Sequence, residues 1–102
     1  MTKNKIYSML GLAAKSRNVV SGEFSSERKV KEGVARLVIV GEDASDNTKK
    51  KFANMCEFYH VPFYVFGTKE ELGHSMGKEM RSSLAITDEG FAKSIIRNLE
   101  EA

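Results

Sequence analysis

The stretch Val19–Val40, VVSGEFSSERKVKEGVARLVIV, sets the pattern from which the rest of the chain is read. A short apolar pair, Val19-Val20, leads into a polar helix, and the helix leads into a buried-looking strand. Ser21-Gly22 opens the helix, Glu23 stands in its first turn, and Arg28, Lys29 and Lys31 follow. Val30 and Val34 supply apolar contacts at helical spacing, so a narrow stripe is expected to anchor a largely solvated helix. Gly33 ends it. Arg36-Leu37-Val38-Ile39-Val40 is the continuous β-branched run expected of a strand covered on both faces. Such a helix start leaves backbone N–H groups unpaired at the positive end of the dipole, a setting that favours anions. A phosphate backbone and guanine edges fit it chemically.

The same alternation continues on both sides. Ile6, Met9, Leu10 and Ala13 share one face of a helix from about Lys3 to Ala14. After the central strand, Ser45 or Asp46 is positioned to cap a helix. Phe52, Met55, Cys56 and Tyr59 form the buried stripe of that helix, with Lys49, Lys50 and Lys51 outward as a solubility face. His60-Val61-Pro62 stops it, because the residue before proline is pushed out of the α region. Phe63–Phe66 reads as a second buried strand, Lys69–Met76 as a short helix capped by Thr68 and ended by Gly77, and Ser83–Ile86 as a strand. Phe91, Ile95, Ile96 and Leu99 line a closing helix. The expected fold is α/β: one domain over residues 1–102, a three-layer α/β/α sandwich around a small mixed sheet of about four strands, mostly parallel.

Charge is distributed unevenly. Residues 1–40 hold eight of the 16 Lys and Arg residues but only three of the 14 acids, so the amino-terminal half is the face for a polyanion. One cysteine, Cys56, excludes an internal disulfide and any multi-cysteine zinc site, and reads as a small buried hydrophobe. It fits a reducing, cytoplasmic setting. His60 and His74 lie in different segments with no third metal ligand at suitable spacing. No run is apolar enough to span a bilayer, and no amino-terminal signal pattern is present. Glycine-rich phosphate loops, dinucleotide fingerprints and nucleophile elbows are missing, so no enzyme and no cofactor is expected. Glu42-Asp43 reads as a turn that starts a helix rather than as a pair of catalytic acids.

Four segments, in order and at matching spacing, together resemble one family. They are Leu10–Ala14 with Val20–Glu23; Gly33–Ala44; Val61-Pro62-Phe63 with Thr68–Gly73 and Gly77; and Asp88–Lys93. The resemblance is to the kink-turn RNA-binding ribosomal-protein family, typified by the archaeal large-subunit protein "seven-Ae", and in Asp88–Lys93 to its bacterial YlxQ-like branch. It covers nearly the whole chain. It implies a monomeric protein that grips structured RNA, a duplex bent sharply at tandem sheared G·A pairs. The RNA would be ribosomal RNA, a riboswitch or another structured RNA, and the protein would be associated with the ribosome or translation. The bend opens a groove that in ordinary A-form RNA is too narrow to read.

The family motif is a glycine, one residue, Asn-Glu, two residues and a lysine. Gly22 matches the glycine and Arg28 replaces the lysine, with a guanidinium fork suited to guanine O6 and N7. Phe24 and Ser25 stand where Asn and Glu would be. Phe24 reads as a stacking platform for a splayed base or, more simply, as an apolar residue packed at the helix start. Ser21, Glu23 and Lys29 complete the main contact. On composition alone Arg28-Lys29-Lys31, alternating with Glu27 and Glu32, is a solvated helix face; the resemblance gives Arg28 a reading role. The resemblance adds a second contact at the loop Gly77–Arg81, where Glu79 and Met80 match and Lys78 and Arg81 make it more basic, and at Lys69, which approaches the RNA backbone. The departures at Phe24 and Ser25 motivate a rival reading, a protein-interaction or ribosome-associated module with weak or non-specific RNA binding.

Overall fold

Leu37–Val40 is buried at all four positions, and its alternation divides the molecule into layers. The computed structural model describes the backbone of residues 2–101 and the side chains of residues 3–101. The elements are α1 (Thr2–Lys15), β1 (Val19–Ser21), α2 (Glu23–Lys31), β2 (Leu37–Val40), α3 (Asp46–Tyr59), β3 (Phe63–Val65), α4 (Lys69–Ser75), β4 (Ser83–Ile86) and α5 (Glu89–Glu101). Leu37, Ile39, Leu84 and Ile86 project from one sheet face onto Ile6 and Leu10 of α1, Leu72 of α4 and Ile95 of α5. Val38, Val40 and Ala85 project from the other onto Val30 of α2 and Phe52 and Cys56 of α3. The three-layer sandwich follows from this period-two division.

The sheet is mixed, in the order β1-β4-β2-β3. Only β2 and β3 are parallel; β4 lies between β1 and β2 and runs antiparallel to both. The expectation of a mostly parallel sheet is therefore corrected. A parallel crossover needs a connection that returns the chain to the end where the previous strand began. Here α4 has seven residues, and the segment after it folds back so that the Arg81 N–H donates to the Lys69 carbonyl at 3.0 Å. The chain thus enters β4 from the end at which it left β3.

Helix boundaries follow capping chemistry. Ser45, not Asp46, caps α3, its hydroxyl accepting from the Thr48 N–H. Thr68 and Glu71 form a reciprocal capping box on α4. His60 closes α3 in the left-handed conformation. Asp43 does sit in a turn, but its carboxylate accepts the Lys69 N–H at 2.9 Å and so braces the start of α4 rather than of α3.

Three burial expectations change. Phe63–Val65 is an edge strand, and Val65 is exposed. Tyr59 lies in the last turn of α3, past the buried Cys56, where it meets Phe58 edge-on at 4.9 Å between ring centroids and stays 39% exposed. Val34 falls beyond the end of α2 and is exposed; the second buried residue of α2 is Ser26. Cys56 is buried as expected, and desolvation pushes its thiol up to about 11.

Candidate nucleic-acid interface

The β1–α2 junction is built on Gly22. Its N–H donates to the Ser83 carbonyl at 2.9 Å, which fixes the turn to β4. Its φ of +97° lies in a region that L side chains rarely adopt. A Cβ there would meet no atom within 4 Å, so the requirement for glycine is conformational, not steric. No side chain caps α2. The first-turn N–H groups of Glu23, Phe24 and Ser25 are therefore left for solvent or a ligand.

Ser26 and Val30 point inward from α2. Ser26 is fully buried and its hydroxyl has no partner, like that of Ser83 on β4. Small residues at these two positions suit close packing of α2 on β4. The opposite face carries Phe24 and Arg28, one helical turn apart. Phe24 is 76% exposed, so the expectation that it packs into the core is overturned. Residues 24, 27, 28, 31 and 32 line a shallow depression of about 320 Å³.

The cations of α2 are engaged. Arg28 Nε meets Glu32 at 3.1 Å and Lys29 Nζ meets the same carboxylate at 3.4 Å. Lys31 meets Glu27 at 2.7 Å. Lys51, read from sequence as part of an outward solubility face, instead crosses from α3 to Glu23 at 3.0 Å and Glu27 at 2.7 Å. The hydrogen bond from Lys31, then that from Lys51, brings the Glu27 carboxyl down to about 2. Glu32 is likewise held below the usual carboxylate range, first by Arg28 and then by Lys29. Exposed pairs of this kind exchange readily for other anions, because each contributes little in water.

The 77–82 segment joins this surface. Arg81 Nε donates to Ser21 Oγ at 3.1 Å and its Nη1 to the Met80 carbonyl at 3.0 Å. Arg81 is thus the strut that ties the segment to the β1–α2 junction. The segment lies so close to α4 that a Cβ on Gly73 would fall 1.6 Å from the Glu79 carbonyl oxygen. Lys78, Glu79 and Met80 are exposed; Lys69 is half-buried. The structure therefore brings Ser21, Gly22 and Arg81 into one junction, with Phe24 and Arg28 on the outer face of the adjoining helix. Sequence reasoning missed the part played by Lys51, which has no local signal because only the packing of α3 against α2 makes it a partner of Glu23 and Glu27.

Comparison with known proteins places the family and the fold. The Ribosomal protein L7Ae/L30e/S12e/Gadd45 family matches residues 4–96. The RNA-binding protein YlxQ of Bacillus subtilis is 43% identical over 94 residues, covering 92% of this chain and 94% of that protein. A Bacillus halodurans protein of unknown function has the same fold at a TM-score of 0.91 and 35% identity, covering 94% of this chain and 97% of its own. A 15.5 kD RNA binding protein of Giardia lamblia shares the fold at a TM-score of 0.83 and 21% identity, over 98% of this chain and 88% of its own. With four-fifths or more of each chain aligned and the sandwich reproduced, this chain belongs to the Ribosomal protein L7Ae/L30e/S12e/Gadd45 family.

Proposed function

We propose that this chain binds structured RNA, and that its preferred target is a kink-turn. The observation that carries the reading is the Arg81–Ser21 bond, which joins the 77–82 segment to an α2 start whose N–H groups have no side-chain cap. Membership of a ribosomal-protein family and similarity to a relative named as RNA-binding support it. In this reading the first-turn amides of α2 hold a phosphate, Arg28 leaves Glu32 for a guanine edge, and the exposed Phe24 ring stacks on a base. Lys29 and Lys69 add phosphate contacts. Lys78, Glu79 and Met80 cover the far side of the bend, with Arg81 holding them in position. The protein acts as a monomer in the cytoplasm, on ribosomal RNA or another structured RNA.

Gel-shift titration against a kink-turn and a straight duplex of the same composition tests this. The kink-turn is expected to bind more tightly. Arg28→Ala is expected to cost about 1–3 kcal/mol on the kink-turn and little on the straight duplex. Equal affinity of the unmodified protein for the two RNAs overturns the proposal.

A further inference from the structure

A cleft of about 510 Å³ opens between the carboxyl end of α1, β1 and the carboxyl end of α4. Val19 and Met76 supply apolar lining; Lys15, Arg17 and Lys78 supply charge, and no acidic residue lines it. Among the described residues, none of these three cations pairs with a carboxylate, whereas Arg28, Lys29, Lys31 and Lys51 all do. The cleft thus holds free positive charge, while the charge on α2 is neutralised by its own acids. Arg17 is held at the cleft by the turn that ends α1, in which the Asn18 N–H donates to the Ala13 carbonyl at 2.7 Å. It sits at φ +63°, a left-handed conformation that glycine or asparagine adopts more readily than arginine. Ser21 and Lys78 line this cleft and also belong to the interface proposed above, so the two surfaces are continuous.

We infer that the cleft receives a single-stranded stretch of RNA that continues out of the bent duplex. Its phosphates lie on Lys15, Arg17 and Lys78, and a base lies against Val19 and Met76, which share the α1–α4 side of the sheet. The cavity is within the range of about 300–1,000 Å³ typical of sites that enclose a small ligand. It has no aromatic platform, so charge holds the strand and the base contact is tolerant of sequence. This inference rests on the RNA-binding reading and extends its footprint.

Fluorescence anisotropy with the full chain tests it, using kinked and straight RNAs, each blunt or carrying a short single-stranded tail on either strand. The variant is K15Q/R17N, chosen because asparagine tolerates the left-handed conformation at residue 17 and keeps the turn intact. The unmodified protein is expected to bind tailed kinked RNA roughly tenfold more tightly than blunt kinked RNA at low salt. The variant is expected to lose that advantage, with unchanged affinity for blunt kinked RNA. Its salt slope on tailed RNA should fall by about 1.4, at roughly 0.7 for each of the two cations that no longer neutralises a phosphate of the single strand. A tail that adds no affinity, or an advantage that survives in the variant, overturns the cleft assignment. Equal binding of kinked and straight RNA overturns instead the reading on which the cleft rests, and the cleft with it.

Discussion

Gly22 holds φ +97° and ψ 154°, a backbone region open almost only to glycine. Gly22→Ala is therefore expected to destabilise the fold by about 1–3 kcal/mol although the site has room for a methyl group, as urea unfolding would show. This residue was readable from sequence, since a glycine directly before a helix start marks such a turn. Phe24 was not. An aromatic near a helix start usually packs inward, but Ser26 and Val30 form the buried face of α2 and leave Phe24 on the opposite one. Arg28 and Glu32 make the next point at this scale. Their 3.1 Å pair competes with any guanine for the guanidinium. Removing the competitor with Glu32→Gln is expected to raise RNA affinity by a factor of up to about five, the scale of one exposed ion pair. An unchanged or weakened titration would show that Glu32 does not restrain Arg28.

At the scale of elements, α2 is held by three contacts. Val30 enters the core, Ser26 rests in the packed layer, and Lys51 of α3 reaches Glu23 and Glu27. Spacing along α2 revealed the first contact and the acids; it contained no sign of the third, because the partner lies 28 residues away from Glu23. Glu27 has a folded-state value of about 2 against an ordinary 4.5, through Lys31 first and Lys51 second. A lowered carboxyl contributes stability that is fully present above the ordinary value and disappears as pH falls towards the folded value. Unfolding midpoints of the unmodified protein and Glu27→Gln should therefore differ near neutrality and converge between about pH 4.5 and about pH 2. A difference independent of pH would place the stabilisation elsewhere.

For the whole molecule, one sheet serves two cores. Leu37 and Ile39 support the α1–α4–α5 layer, and Val38 and Val40, their neighbours in the same strand, support the α2–α3 layer. Loss of either layer exposes half of a common strand, so unfolding is expected to be a single transition. Phe52→Ala, in the α2–α3 layer, is expected to cost about 3–5 kcal/mol, a large part of the roughly 5–15 kcal/mol of a domain this size. The loss should appear equally in a probe of α1, such as Tyr7, whose hydroxyl donates to Glu71 at 2.7 Å. Separate transitions for the two layers would refute a shared core. No helix among the described residues is long and apolar enough to cross a membrane.

Local sequence sufficed for the order of elements, the Thr68 cap of α4, the buried run of β2 and the glycine that opens α2. These are decided by neighbours within a few residues, through periodicity, capping and permitted dihedral angles. Packing in three dimensions set the direction of β4, the outward turn of Phe24, the bridge from Lys51 and the strut from Arg81 to Ser21. Each depends on which distant segments are packed together, and local spacing carries no record of that. The cleft beside the interface belongs to the same class. Lys15 and Arg17 carry no functional signal in the sequence and Lys78 is legible only as part of the Gly77–Arg81 loop; the three line one cleft because the ends of α1 and α4 meet beside β1.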